Sequence, residues 1–204
     1  MDETAAEDAL RAGMKAEIRQ RRRSVRRVMP HEARVARSEV IARHVLALPE
    51  WERARTVLLF VSMRSEVQTE PLVAGARQAG KLVVAPRMAA DRQHLELHEW
   101  REGDLLEESG MMFLQPPAEA PRVADDAVDL VIVPALAADE RGHRVGYGKG
   151  FYDRLLPRLT RALRACVIFD FELVAEVPDR EGDEATDVVV TDARVIRTSR
   201  TTAG

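Results

Sequence analysis

The sequence predicts a three-layer α/β/α fold built on a mostly parallel β-sheet. Apolar runs of strand length recur along the chain, and segments with helical character separate them. Continuous apolar runs are typical of strands that are buried on both faces of a parallel sheet. A chain of 204 residues can bury one sizeable core but is short for two independent ones. We therefore predict a single domain over residues 1–204.

The first half of the chain is predicted to hold three helices, two buried strands and an edge strand. The first two helices end near Pro30 and Leu48, and the second shows apolar residues at helical spacing. Thr69 as a cap and Pro71 in the first turn favour the start of the third helix. Pro86 is expected to close the second strand. In chain order, these elements cover residues 5–29, 31–48, 56–62, 69–80, 81–85 and 94–99.

The second half begins with a long connection, because residues 103–127 contain three prolines and little periodicity. Two buried strands, at 130–133 and 164–169, are predicted on either side of a helix from Phe151 to Leu163. An acidic loop and a final strand or hairpin follow. These last elements cover residues 174–187, 188–191 and 194–196.

Composition excludes several classes of protein. The formal net charge of −3 provides no general attraction to nucleic acid or membranes. The six arginines between Arg19 and Arg27 favour a solvated helix, since no aromatic residues alternate with them. Cys166, the only cysteine, lies in an apolar run and is expected to be a buried thiol. Without a signal-peptide pattern or an apolar run of about 18 residues, we expect a monomer in the reducing cytoplasm.

A glycine-rich loop follows the strand at 130–133. It reads Gly146-Tyr-Gly-Lys-Gly150 and leads through Phe151, Tyr152 and Asp153 into the predicted helix. Glycines at alternate positions let a backbone approach a ligand closely, and their amides can form an anion cradle. Lys149 adds a positive charge, and Asp153 stands where a metal ion that bridges phosphates could be held. The loop therefore predicts a phosphate site.

This segment resembles the signature of the 5-formyltetrahydrofolate cyclo-ligase family. That signature reads Pro-Gly-x-Ala-Phe-Asp, two residues, then Gly-x-Arg-Leu-Gly-x-Gly-x-Gly-Tyr-Tyr-Asp-Arg. The chain departs from it at Ala135, Ala138 and Phe151, where the family often has Gly, Phe and Tyr. The resemblance extends over about residues 14–197. The matching positions are Pro134, Ala137, Asp139, Gly142, Arg144, Gly146, Gly148, Gly150, Tyr152, Asp153 and Arg154.

The resemblance implies a Rossmann-like fold of the NagB/RpiA/CoA transferase-like type. It also implies that ATP and Mg²⁺ drive the closure of 5-formyltetrahydrofolate, with or without a polyglutamate tail, to 5,10-methenyltetrahydrofolate. Lys149, Arg144 and Tyr152 would be catalytic, Asp153 and Asp183 would bind the metal, and Val61, Glu66, Tyr147 and Phe151 would bind folate. The implied nucleotide site comprises Lys15, Arg19, Arg144, Gly146, Gly148, Lys149, Gly150, Phe151 and Tyr152. The spacing of Lys15 and Arg19 independently places both cations on one helix face.

Three departures from the family leave alternatives open. Glu172 replaces the usual Gln in Phe-Asp-x-Gln, Gly182 stands where His is frequent, and Ala138 stands where Phe is frequent. A paralogue that keeps the nucleotide loop but acts on another substrate remains one alternative. A non-enzymatic binder of ATP or folate is the second, and two candidate metal carboxylates argue against it. A nucleic-acid-binding protein is the third, and the net charge argues against it.

Overall fold

The computed structural model describes residues 3–200 except Met112. The helices are α1 (Glu3–Val28), α2 (His31–Leu46), α3 (Pro49–Arg53), α4 (Glu70–Gln78) and α5 (Phe151–Leu155). The first six strands are β1 (Thr56–Leu58), β2 (Leu82–Met88), β3 (Leu95–Glu99), β4 (Glu107–Glu108), β5 (Leu114–Gln115) and β6 (Leu130–Pro134). The others are β7 (Ala137–Ala138), β8 (Arg144–Val145), β9 (Leu163–Val167), β10 (Val188–Val190) and β11 (Val195–Arg197).

In the described part of the chain, seven strands form one sheet in the order β11-β10-β9-β6-β1-β2-β3. The neighbours from β10 to β2 are parallel, while β11 and β3 add antiparallel edges. The predicted mostly parallel sheet is therefore confirmed, as are the edge strand and the final hairpin.

Successive residues of the central strands face opposite sides of the sheet and enter two cores. Val57 and Ile132 pack in the core beneath α2, α3 and α4. Leu58 and Val133 pack on the other face with Leu155 of α5. This two-sided burial explains the unbroken apolar runs and confirms the three layers.

Four local expectations were wrong. The strand predicted at 56–62 ends at Leu58, because β1 is paired with β2 only as far as Val84. Pro86 continues β2, where its partner is β3, and β1 has already ended. Pro157 ends the helix predicted to reach Leu163, and a short 3₁₀ turn (Leu156–Arg158) replaces it. Thr69 makes no cap hydrogen bond; its hydroxyl donates to the carbonyl of Phe60 at 2.8 Å.

In its described residues, the connection at 103–127 contains only the two-residue strands β4 and β5 and one 3₁₀ turn, as expected. Two elements were not predicted: α3, and the β7–β8 ribbon beyond the end of β6. Helix α1 packs against that ribbon, and so lies over the carboxyl end of the sheet. Among the described residues, no helix is both long and apolar enough to cross a membrane.

Candidate active site

Three adjacent parallel strands deliver the candidate residues to one edge of the sheet. β9, β6 and β1 are neighbours, so their carboxyl ends lie side by side. Glu66 lies in the loop after β1, the glycine loop follows β6 and its ribbon, and Glu172 follows β9. The carboxyl edge is where open α/β sheets place their ligands.

The glycine loop needs its glycines for different reasons. Gly148 and Gly150 have φ values of 96° and 64°, a left-handed region that other residues rarely adopt. Gly146 has open space around the position of a Cβ atom. Lys149 is exposed, and its ammonium group has no hydrogen bond or ion pair within the described chain. The loop therefore presents a free cation on an accessible backbone.

Helix α1 brings two further cations to this loop. The Nε of Arg19 donates to the carbonyl of Gly146 at 2.9 Å. Lys15 is buried and forms an ion pair with Asp183. Burial, with Arg23 and Arg180 nearby, lowers the pKa of Arg19 below its ordinary value. Such crowding of positive charge favours a site that receives an anion.

The two candidate metal ligands line one cleft. Asp153 and Asp183 border a cavity of about 320 Å³ together with Gly150, Arg154 and Arg180. Arg144 donates to Asp153 at 2.6 Å. The described residues contain no cluster of three acidic, His or Cys side chains that could hold a metal ion. Two carboxylates nevertheless fit magnesium, which commonly takes one or two from protein and its other ligands from phosphates and water.

The predicted folate carboxylate interacts with the glycine loop at Tyr147. Glu66 is half-buried and accepts a hydrogen bond from the backbone amide of Met63 at 2.9 Å. Burial raises the pKa of Glu66, and hydrogen bonds from Tyr147 and Met63 oppose that rise. Val61 is buried in the same loop. The structure thus brings Glu66 and Tyr147 into contact, which sequence alone did not predict.

Phe151 and Tyr152 form the first turn of α5, directly after the glycine loop. Both pack against the apolar core that contains Leu155, and neither lines the cleft. The guanidinium of Arg154 lies 5.3 Å from the centre of the Phe151 ring. The buried hydroxyl of Tyr152 has no hydrogen-bond partner in the described chain, and burial raises its pKa.

The prediction of a solvated arginine helix was wrong for half of the six arginines. Arg26 is 2% exposed and pairs with Glu172, which is fully buried. Arg22 donates to the carbonyl of Phe171 at 2.6 Å. Lys15, Arg19, Arg22 and Arg26 follow one another at spacings of four, three and four residues. That helical stripe was the available signal for Arg26, because it continues the face already assigned to Lys15 and Arg19.

Cys166 lies at the centre of the sheet and is fully buried, as predicted. Burial raises the pKa of its thiol to about 12. The thiol is therefore protonated at neutral pH and is a poor nucleophile.

Comparison with known proteins agrees with this geometry. A sequence model of the 5-formyltetrahydrofolate cyclo-ligase family matches residues 11–192. The 5-formyltetrahydrofolate cyclo-ligase of Escherichia coli K12 is 31% identical over 191 residues, which cover 87% of this chain and 98% of the relative. The mouse protein of the same name is 25% identical over 194 residues, which cover 90% and 94%.

Solved structures show the same relationship. The 5,10-methenyltetrahydrofolate synthetase of Aquifex aeolicus superposes with a TM-score of 0.80 at 29% identity, covering 91% of this chain and 93% of the other. The corresponding protein of Mycoplasma pneumoniae, at 18% identity and a TM-score of 0.71, shares the fold. The chain therefore belongs to the 5-formyltetrahydrofolate cyclo-ligase family of enzymes.

Proposed function

We propose that the protein converts 5-formyltetrahydrofolate to 5,10-methenyltetrahydrofolate and uses ATP with Mg²⁺ to do so. The formyl oxygen attacks the γ-phosphorus of ATP, an O–P bond forms, and ADP leaves. The anilinic nitrogen of the folate then attacks the activated carbon and loses its proton. Inorganic phosphate departs with the former formyl oxygen, which closes the ring.

One observation carries this proposal: the glycine loop contributes residues to both halves of the site. In one half, Asp153 and Asp183 border the cleft of about 320 Å³. In the other half, Tyr147 connects the same loop to Glu66. A loop that contacts both substrates can hold the formyl oxygen close to the γ-phosphate, and such positioning supplies much of the catalysis in phosphoryl transfer.

The cations around the loop would neutralise the phosphates. Lys149 is free to reach an incoming γ-phosphate because its ammonium group has no partner in the described chain. Arg19 and Lys15 approach from α1, and Arg144 approaches from β8. These fixed charges stabilise the negative charge that spreads over the transferring group.

Asp153 and Asp183 are the residues that would hold the magnesium ion. In the structure each carboxylate pairs with a cation, Asp153 with Arg144 and Asp183 with Lys15. Those pairs hold both carboxylates at the border of the cleft. The bound ion would neutralise phosphate oxygens when ATP arrives.

Glu66 would orient the pterin ring. An ionised carboxylate accepts two parallel hydrogen bonds from an amino-pyrimidine edge. The amide of Met63 and the hydroxyl of Tyr147 occupy two acceptor positions of Glu66, and other lone pairs remain available. Tyr147 would cover one face of the ring, with Val61 behind it.

The paralogue alternative loses its main support in the structure. It rested on Glu172, Ala138 and Gly182, and among these Glu172 had a charge that the sequence left unexplained. That carboxylate is fully buried and accepts two hydrogen bonds from Arg26. The substitution is therefore matched by a partner inside the protein and does not by itself indicate another substrate.

The test is the growth of methenyltetrahydrofolate absorbance when purified protein meets 5-formyltetrahydrofolate, ATP and magnesium. Lys149→Ala should reduce kcat by at least about a hundredfold, as expected for the loss of a positioned charge at the reacting phosphate. Arg21→Ala is the matched control, since Arg21 is an exposed cation on α1, and it should turn over normally. Asp153→Asn and Asp183→Asn should raise the magnesium concentration required for half-maximal rate.

Two outcomes would contradict the proposal. Folded wild-type protein that binds ATP but forms no methenyltetrahydrofolate would redirect the search to another substrate. Turnover that is insensitive to Lys149→Ala would remove the glycine loop from the chemistry.

A further inference from the structure

A chain of side-chain interactions connects the buried carboxylate of Glu172 to the candidate folate carboxylate of Glu66. Arg26 donates to Glu172 through two nitrogens, with its Nη2 2.7 Å from one carboxylate oxygen. Its Nη1 donates to the hydroxyl of Tyr147 at 3.1 Å. The Tyr147 hydroxyl in turn lies beside Glu66 and interacts with its carboxylate. Four side chains from four separate segments therefore form one relay.

The guanidinium of Arg26 is held rigidly in this relay. Its Nη2 also donates to the carbonyl of Ala135 at 2.6 Å, so four donated bonds engage it. The ring of Phe169 lies 5.6 Å from its central carbon. Glu172 is fixed as well, since the amide of Phe169 donates to it at 3.0 Å. A buried network with this many hydrogen bonds holds its members in one arrangement.

Among Glu172, Arg26 and Tyr147, only Tyr147 is exposed enough to reach the proposed substrate site. Tyr147 is 39% exposed, whereas Arg26 is 2% exposed and Glu172 is fully buried. Arg23 also contacts Tyr147 and lies 5.6 Å from the centre of its ring. Arg26 and Glu172 therefore cannot touch a ligand directly, but they can act on one through the Tyr147 hydroxyl.

The groups around Glu66 determine the direction in which its pKa would shift if Arg26 were replaced. The groups that face it are Arg26 from α1, Tyr147 from the glycine loop and Tyr152 from α5. Burial raises the pKa of Glu66, and Arg26 is the cation that opposes the rise. Removing that cation would raise the pKa further, so Glu66 would become neutral at a higher pH.

We propose that the Arg26–Glu172 pair is a positioning element for substrate recognition: it orients the hydroxyl of Tyr147 toward Glu66 and so sets the affinity for the pterin ring. This inference rests on the proposed folate site. Glu172 keeps the cation from being an unpaired buried charge, and Arg26 transmits its polarisation through Tyr147. A carboxylate held by two donors is better oriented for a planar amino-pyrimidine partner.

The test uses variants that remove the charges and retain hydrogen bonding. Arg26→Gln combined with Glu172→Gln replaces the ion pair with two amides. Tyr147→Phe keeps the ring and deletes only the relaying hydroxyl. The third protein carries all three changes. Glu50→Gln is the control, since Glu50 pairs with Arg197 near the start of α3, remote from Glu66 in the fold.

Two dissociation constants are measured by calorimetry from pH 5 to pH 8, one for 5-formyltetrahydrofolate and one for ATP with magnesium. The double Gln variant should weaken folate binding about tenfold at pH 7, the size expected for one lost hydrogen bond to a charged group. ATP binding should stay within about twofold. The acid limb of folate binding should move up by about half a pH unit, and Tyr147→Phe should change it in the same direction.

The triple variant separates a relay from general damage. If Arg26 acts through Tyr147, the triple variant should bind folate no more weakly than Tyr147→Phe alone. Multiplied losses in the triple variant, or a folded double Gln variant with an unmoved acid limb, would overturn the inference. Equal losses for folate and ATP would show a structural effect and would overturn it too. If wild-type protein or a Glu66→Ala comparison shows no specific folate binding, the proposed function fails instead, before the relay is tested.

Discussion

Arg26→Met is the perturbation for which the structure predicts the largest loss of stability on α1. The change deletes four donated hydrogen bonds and leaves Glu172 fully buried without its cation. Breaking a buried pair by removing one partner typically costs about 3–5 kcal/mol. For a domain of this size, each kcal/mol lowers the melting temperature by about 2–4 °C, so we expect a fall of about 10 °C.

The matched control is Arg27→Met, which changes the adjacent residue of the same helix. Arg27 is exposed, so its replacement should change the free energy of unfolding by no more than about 0.5 kcal/mol. Both proteins are unfolded thermally at pH 7 and followed by circular dichroism. Helix propensity is similar in the two variants, and the difference between them therefore isolates burial and pairing.

The loss should also depend on pH. Burial raises the pKa of Glu172, and Arg26 opposes that rise in the wild type. Without Arg26, the folded-state pKa rises further above the ordinary value of 4.5. The variant can bind a proton and recover at low pH, so its deficit should grow as the pH increases above about 4.5. A melting temperature within about 3 °C of wild type, or an equal loss in Arg27→Met, would refute the assignment of Arg26 to a buried pair.

Three further outcomes follow from single positions. Gly142→Ala should destabilise the protein by about 3 kcal/mol or more, because its φ is 89° and a Cβ would lie 2.3 Å from a backbone oxygen, whereas Gly146→Ala has open space and should stay within about 1 kcal/mol by denaturant titration. Glu66→Gln should increase stability at pH 7 but not below pH 4.5. Burial raises the pKa of Glu66, so its ionised form is the one disfavoured on folding. Unchanged stability at both pH values would contradict this. Hydrogen bonds from Arg197 lower the pKa of Glu50 below 4.5. That pair therefore stabilises the fold above this pH, and its contribution disappears as the pH falls. Glu50→Gln should have a lower melting temperature than wild type at pH 7 and the same melting temperature at pH 2.

Most of the sheet could be predicted from the sequence, because burial on both faces leaves a mark in the residues themselves. The apolar runs beginning at Thr56, Leu130 and Val188 all became strands. Errors occurred where the outcome depends on a partner. β1 ends where β2 stops pairing with it, and a run of apolar letters contains no information about where a neighbour diverges.

The candidate site could be predicted only in part. The glycine loop carries its own signal, since left-handed backbone and close approach both require Gly at particular positions. The contact between Tyr147 and Glu66 joins residues 81 positions apart in sequence, and no local pattern links them. The position of the Tyr152 side chain, which packs against the apolar core, likewise depends on packing around α5.

The sequence by itself determined where strands and helices follow one another along the chain, and the chemistry of the glycine loop. Periodicity, glycine placement and charge are local properties. Only the tertiary structure decided which charged side chains form ion pairs with each other. Arg26 and Glu172 are 146 residues apart, and each looks solvent-exposed in its own segment. They are buried together because α1 lies across the carboxyl end of the sheet, where water is excluded and a charge is stable only beside its partner.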